Sequence, residues 1–163
     1  VKRKILILMA FLLIAMVTVA HATGERDNLK GLKGMFLVID PLSADLEKRG
    51  VSRDELQRRL VVKLREAGIG ILSVKNASTT PGQPILQLKV ASVKKTTGHG
   101  FLIQLWMNEK VIFDRDRNRI VHGITWIQTT IEFDGDLQAR GIYGSADEVL
   151  NEFINDYLAA NPK

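Results

Sequence analysis

Residues 51–68 read VSRDELQRRLVVKLREAG, and the apolar positions Leu56, Leu60, Leu64 and Ala67 recur at steps of four and three. That spacing predicts one apolar face of an α-helix. Ser52 and Glu55 form a capping box, in which each side chain can bond the other's free backbone N–H, and Val51 and Leu56 are spaced as a hydrophobic staple. Gly68 supplies the stop. A second stripe at helical spacing, made by Val149, Leu150, Phe153, Ile154, Tyr157 and Leu158, follows a second capping box at Ser145 and Glu148 and ends at Asn161-Pro162.

The other apolar runs read as strands. MFLVID, residues 35–40, shows no alternation and predicts a strand covered on both faces, central in its sheet. IGILSV, residues 69–74, reads as a second strand, joined by the loop KNASTTPGQP to a third. In residues 85–95 Leu86, Leu88 and Val90 alternate with Gln87 and Lys89. After the turn TTGHG, Phe101, Ile103, Leu105 and Met107 share one face of a fourth strand, which Val111 and Phe113 continue. A fifth strand covers residues 119–131, and the short connections make these last three strands consecutive and antiparallel. With RDRN as a four-residue turn, Asp114 faces Arg119, Trp126 lies opposite Met107, and Trp106 lies opposite Ile127, which sets the two tryptophans close across the ladder. DGDLQARGIYG then reads as a loop. The whole predicts a single α+β domain in the order β-α-β-β-β-β-α: a two-layer sandwich of a mainly antiparallel sheet of about five strands, with two amphipathic helices on one face.

The N-terminus changes this picture by adding a segment outside the domain. Lys2, Arg3 and Lys4 precede an apolar run over residues 5–20, which closes on Ala20-His21-Ala22. This is the three-part pattern of a secretory signal peptide with cleavage after Ala22. The run holds about 16 residues, short of the roughly 20 that a spanning helix needs. The expected division is a signal peptide at 1–22, a flexible leader at 23–32 and the α+β domain at 33–163. The expected location is the periplasm or the medium, with no membrane attachment after cleavage.

Charge and cysteine content narrow the chemistry. The chain carries 23 Lys plus Arg against 18 Asp plus Glu, and three of those cations lie in the signal segment, which leaves the remainder near balance. Nucleic-acid binding, which calls for a dense basic stripe, is not indicated. The chain has no cysteine, which excludes thiol redox chemistry, a cysteine nucleophile and thiolate metal sites.

Several motifs invite a chemical reading. In FDRDRNRI, residues 113–120, Asp114, Asp116 and Asn118 alternate as in the opening of a calcium loop. Such a loop needs Gly at its sixth position and Glu at its twelfth, where this chain has Arg119 and Thr125. A hairpin tip is the better account, and no metal or other cofactor is expected. His99 sits in a glycine-flanked turn and His122 in a strand, with no carboxylates at ligand spacing. No G-x-S-x-G pattern occurs. The free N–H groups of GSADE at a helix start could hold an anion, but Asp147 and Glu148 already place negative charge there. Asn76 to Ser78 matches a glycosylation sequon. Trp106 and Trp126 read as sheet packing or, less simply, as a stacking platform.

The leader into LKGMFLVID, the segment GVSRDELQRRLVVKLREAGI, the RDRNR hairpin leading to ITW, and the terminal FINDYLAANP together resemble a family of small uncharacterised exported bacterial proteins. The resemblance implies export and an α+β fold, and it brings no catalytic residues. The expected function is non-enzymatic binding of another envelope protein or a ligand. The alternative is a small periplasmic hydrolase with dispersed residues such as His122.

Overall fold

The computed structural model describes residues 25–162 except 96, 97 and 135–137. The expected signal peptide and its cleavage point lie outside the described residues. The elements run β1 (Phe36–Ile39), α1 (Ala44–Lys48), α2 (Arg53–Glu66), α3 (Val74–Thr79), β2 (Ile85–Lys95), β3 (Gly98–Phe113), β4 (Asp116–Asp134) and α4 (Ala139–Ala160). The strands form one sheet in the order β1-β2-β3-β4. β1 runs parallel to β2, and the other pairs are antiparallel. The fold is therefore α+β, with a mixed sheet of four strands among the described residues. The long crossover through α1, α2 and α3 is what permits the parallel pair.

Four strands replace the expected five because residues 69–74 do not form one. Gly68, at φ 76°, ends α2 in the left-handed conformation, and Ile69 N–H donates back to Leu64 O at 2.8 Å. Only Met35 and Ile71 then make a bridge. The chains cross so closely here that a Cβ on Gly70 would lie 2.7 Å from Lys33 O, and one on Gly34 would lie 2.7 Å from Gly70 O. Ser73 caps α3 by accepting from Asn76 N–H, which turns the chain into a helix where a loop was expected.

Two further expectations change. β1 is not central: it stands at one end of the strand order, and three of its four residues are half-buried. The terminal helix starts at Ala139, not at Ser145. Its N-cap Gln138 makes no side-chain cap bond, so burial holds this first stretch. Ile142 is fully buried, and Tyr143 OH accepts from Ser52 N–H at 2.8 Å and donates to Gly50 O at 3.2 Å. In α2 the capping box is half realised, with Ser52 Oγ accepting from Glu55 N–H at 3.3 Å while the Glu55 carboxylate pairs with Arg58 at 2.7 Å.

Strand alternation decides where the core sits. Leu86, Leu88 and Val90 of β2, Phe101, Ile103, Leu105 and Met107 of β3, and Trp126 of β4 face inward and are buried. They share one cluster with Leu56, Leu60 and Leu64 of α2 and with Ile142, Ala146, Val149, Leu150 and Phe153 of α4. Residues 25–32, expected to be a flexible leader, are anchored to this layer. Leu29 is fully buried, Tyr157 OH donates to Leu32 O at 2.6 Å, and Asn161 bonds both Gly31 N–H and Leu29 O.

Candidate protein-interaction surface

The face of the sheet turned away from the helices is divided. On the β1–β2 side, Gln87 donates to Asp40 at 2.6 Å and accepts from Asn108 at 3.2 Å, so polar side chains satisfy one another there. On the β3–β4 side the outward positions are chiefly apolar. Leu102 stands opposite Ile131, Trp106 opposite Ile127, and Ile112 opposite Ile120. Ile112, Ile120, Ile124, Ile131 and Phe133 are each at least half exposed. Five of the eight large exposed hydrophobics among the described residues thus fall on one face of one hairpin. Two polar pairs interrupt the row, Gln104–Thr129, joined at 3.2 Å, and Lys110–His122, yet such a concentration of exposed apolar residues on one face is what an interaction surface offers, whereas scattered ones are ordinary.

The hairpin that carries this surface has an irregular ladder. Met107 pairs with Trp126 and Asn108 with Ile124, so Thr125 is an extra residue in β4. Its hydroxyl donates to Glu109 at 2.7 Å, and its carbonyl accepts from Asn28 Nδ2 at 2.8 Å. Near the tip, Ile112 pairs with Ile120 but Phe113 with Asp116, which leaves residues 117–119 outside the ladder. The turn is therefore the two residues Asp114 and Arg115, not RDRN. Asp114 pairs with Arg117 at 3.5 Å, not with Arg119, and both partners are exposed. Asp116 accepts from Asn118 N–H at 3.2 Å, a local turn bond, and Arg115 and Arg119 sit over the Phe113 ring at 5.1 and 5.5 Å. No group of three or more His, Asp or Glu placed to hold a metal ion occurs among the described residues.

The remaining sequence candidates are dispersed. His122 is exposed on β4 opposite Lys110. His99 is half-buried opposite Asp134, with Nδ1 unpartnered among the described residues. The two tryptophans take the expected register, Trp106 opposite Ile127 and Trp126 opposite Met107, and the stacking platform, the less simple of their two readings, does not form. Trp126 pairs with Met107 on the helix side, so Trp106, its ladder neighbour, points the other way. Ser145 is not a cap. It lies buried within α4, where its hydroxyl donates to Glu132 and approaches Gly141 O at 3.2 Å. Asn76 of the sequon lies within α3.

The apolar periodicity of α2 gave no sign of the polar clamp that joins it to α4. Arg59 Nη2 meets Asp147 Oδ2 at 2.6 Å, Lys63 approaches the same oxygen at 3.7 Å, and the Arg59 guanidinium lies over Tyr143 at 5.5 Å. The hydrogen bond to Asp147, assisted by Glu55, holds Arg59 above its already high pKa. The shallow groove beside it, about 220 Å³ and lined by Arg58, Arg59, Val62, Lys63, Glu66 and Asp147, is dominated by these mutually paired charges. No helix among the described residues is long and apolar enough to cross a membrane. No family model matches the chain, and no curated protein matches it.

Proposed function

We propose that this is an exported, non-enzymatic domain of the periplasm or the medium that works by binding another envelope protein through the bare β3–β4 face. The carrying observation is the uneven outer face, with Leu102, Trp106, Ile127 and Ile131 gathered on the hairpin around the Gln104–Thr129 pair, and the Asp40–Gln87–Asn108 chain running from the β1 side to β3. An apolar patch of this kind, rimmed by polar groups, suits a flat protein partner better than a small molecule, which needs concavity. The helix-facing side is occupied by the domain's own core, Phe153 and Leu105 among it, so the outer face is the one left for a partner.

A photo-crosslinking residue at Ile127, irradiated in the native host, tests this. The expected result is one adduct with a distinct envelope protein, lost when Ile131→Lys is added and not formed from Arg65 on α2. Absence of such an adduct, or equal labelling from Arg65, overturns the reading.

A further inference from the structure

Among the described residues β4 ends the strand order, and its far edge, where Asn28 already meets the Thr125 carbonyl, turns its backbone outward in a pattern fixed by the rest of the sheet. Lys110 N–H donates to Gly82 O at 2.7 Å, on the β2 side. Backbone groups alternate along a strand, so Asn108 and Trp106 also bond toward β2, whereas Met107, Leu105 and Ile103 bond toward β4. Their partners Trp126, Gln128 and Thr130 bond inward. Ile127, Thr129 and Ile131 therefore direct N–H and C=O to the open edge. The bulge at Thr125 reverses the phase, and on its other side the outward-directed residues are Ile120, His122 and Ile124.

Sheet edges are normally blunted by shortness, charge or proline. The β1 edge obeys this, being four residues long. β4 has 19 residues, and between Ile120 and Ile131 it contains no Asp, Glu, Lys, Arg or Pro. We propose that β4 pairs antiparallel with β4 of a second copy of this chain, about a two-fold axis passing between Thr125 and Trp126. Ile124 then stands opposite Ile127 of the second copy, His122 opposite Thr129, and Ile120 opposite Ile131. This register leaves none of the six outward-directed residues unpaired, and each pair makes two ladder bonds. At the axis Trp126 bonds inward and Asn28 occupies the Thr125 carbonyl, so nothing there requires a bond across the pair. The two bare faces join into one continuous surface, an arrangement that does not depend on the identity of any other partner.

Sedimentation velocity on the natively processed protein is expected to show a dimer at micromolar concentration. Ile124 and Ile131 are 57% and 54% exposed, so Ile124→Lys with Ile131→Lys leaves the fold intact, as circular dichroism will verify, and weakens self-association by roughly a hundredfold. The chain is free of cysteine, so His122→Cys with Thr129→Cys forms an interchain disulfide, while Arg117→Cys with Thr129→Cys does not. A monomer at every concentration overturns the proposal. So does a dimer that survives the lysine substitutions, or equal cross-linking by the two cysteine pairs.

Discussion

Trp126 of β4 meets Phe153 of α4 edge-on, with ring centroids 5.1 Å apart and planes inclined at 74°, while its indole N–H donates to Asp156 at 2.9 Å. One residue thus ties sheet to helix by packing, by an aromatic edge contact and by a charge-assisted hydrogen bond. Trp106, on the bare face, has no such cover. Trp126→Ala is expected to cost about 4 kcal/mol through the cavity it leaves, and Trp106→Ala about 1 kcal/mol. Urea unfolding measures both. Iodide quenching of each single-tryptophan variant gives an independent check, with Trp106 reached by the ion and Trp126 shielded.

The Arg59–Asp147 contact joins the two long helices beside their shared apolar core. Asp147 is the more enclosed partner, with 17% of its side chain exposed, and both Arg59 and Lys63 converge on one of its oxygens. Asp147→Asn keeps the shape and removes the charge, leaving two cations facing a weak acceptor. The expected loss is about 2 kcal/mol. Adding Arg59→Met should recover part of it, and a double-mutant cycle reads the coupling directly. Additive effects would show that the two side chains do not interact.

Tyr157 couples the helix to the N-terminal segment through its bond to Leu32 O, and burial raises its pKa above the ordinary value of 10.0. In the unfolded chain the phenol ionises near pH 10, while in the folded protein it stays protonated to higher pH. Its contribution is therefore complete below pH 10 and is lost as pH rises through the raised folded value. Tyr157→Phe removes the titration. The wild-type thermal midpoint should fall more steeply than that of the variant between pH 9.5 and 11, and parallel curves would contradict the assignment.

Periodicity served well where burial on one face was the dominant constraint. The α2 stripe of Leu56, Leu60 and Leu64, the alternation of β2 and the inward row of β3 all follow from it. It failed where a few hydrogen bonds or a close approach decided the outcome, as between Gly34 and Gly70. The hairpin shows why a correct pairing can conceal a wrong turn. Met107 was expected opposite Trp126 and is found there, but the extra Thr125 and the unladdered residues 117–119 offset a shorter turn. Bulges leave no periodic trace, because each shifts the phase only once. The outer residues Leu102, Ile127 and Ile131 were present in the sequence, but nothing in it revealed that none of the described helices covers them. The clamp at Asp147 was hidden because Asp147 sat inside a presumed cap.

That presumed cap leads to the sharpest test of helix length. GIYG interrupts the helical pattern with Gly141 and Gly144, which favours a loop on propensity alone, yet α4 runs through both. A Cβ at either position would meet nothing within 4 Å, so alanine adds no clash and removes unfolded-chain freedom. Gly144 lies inside the helix and Gly141 in its first turn, where fewer hydrogen bonds depend on it. Gly144→Ala should therefore stabilise the protein by about 1 kcal/mol and Gly141→Ala by roughly half as much. The gain should appear as a higher urea midpoint with an unchanged slope. Were Ser145 the true N-cap, Gly144 would lie outside the helix and its substitution would give no such gain.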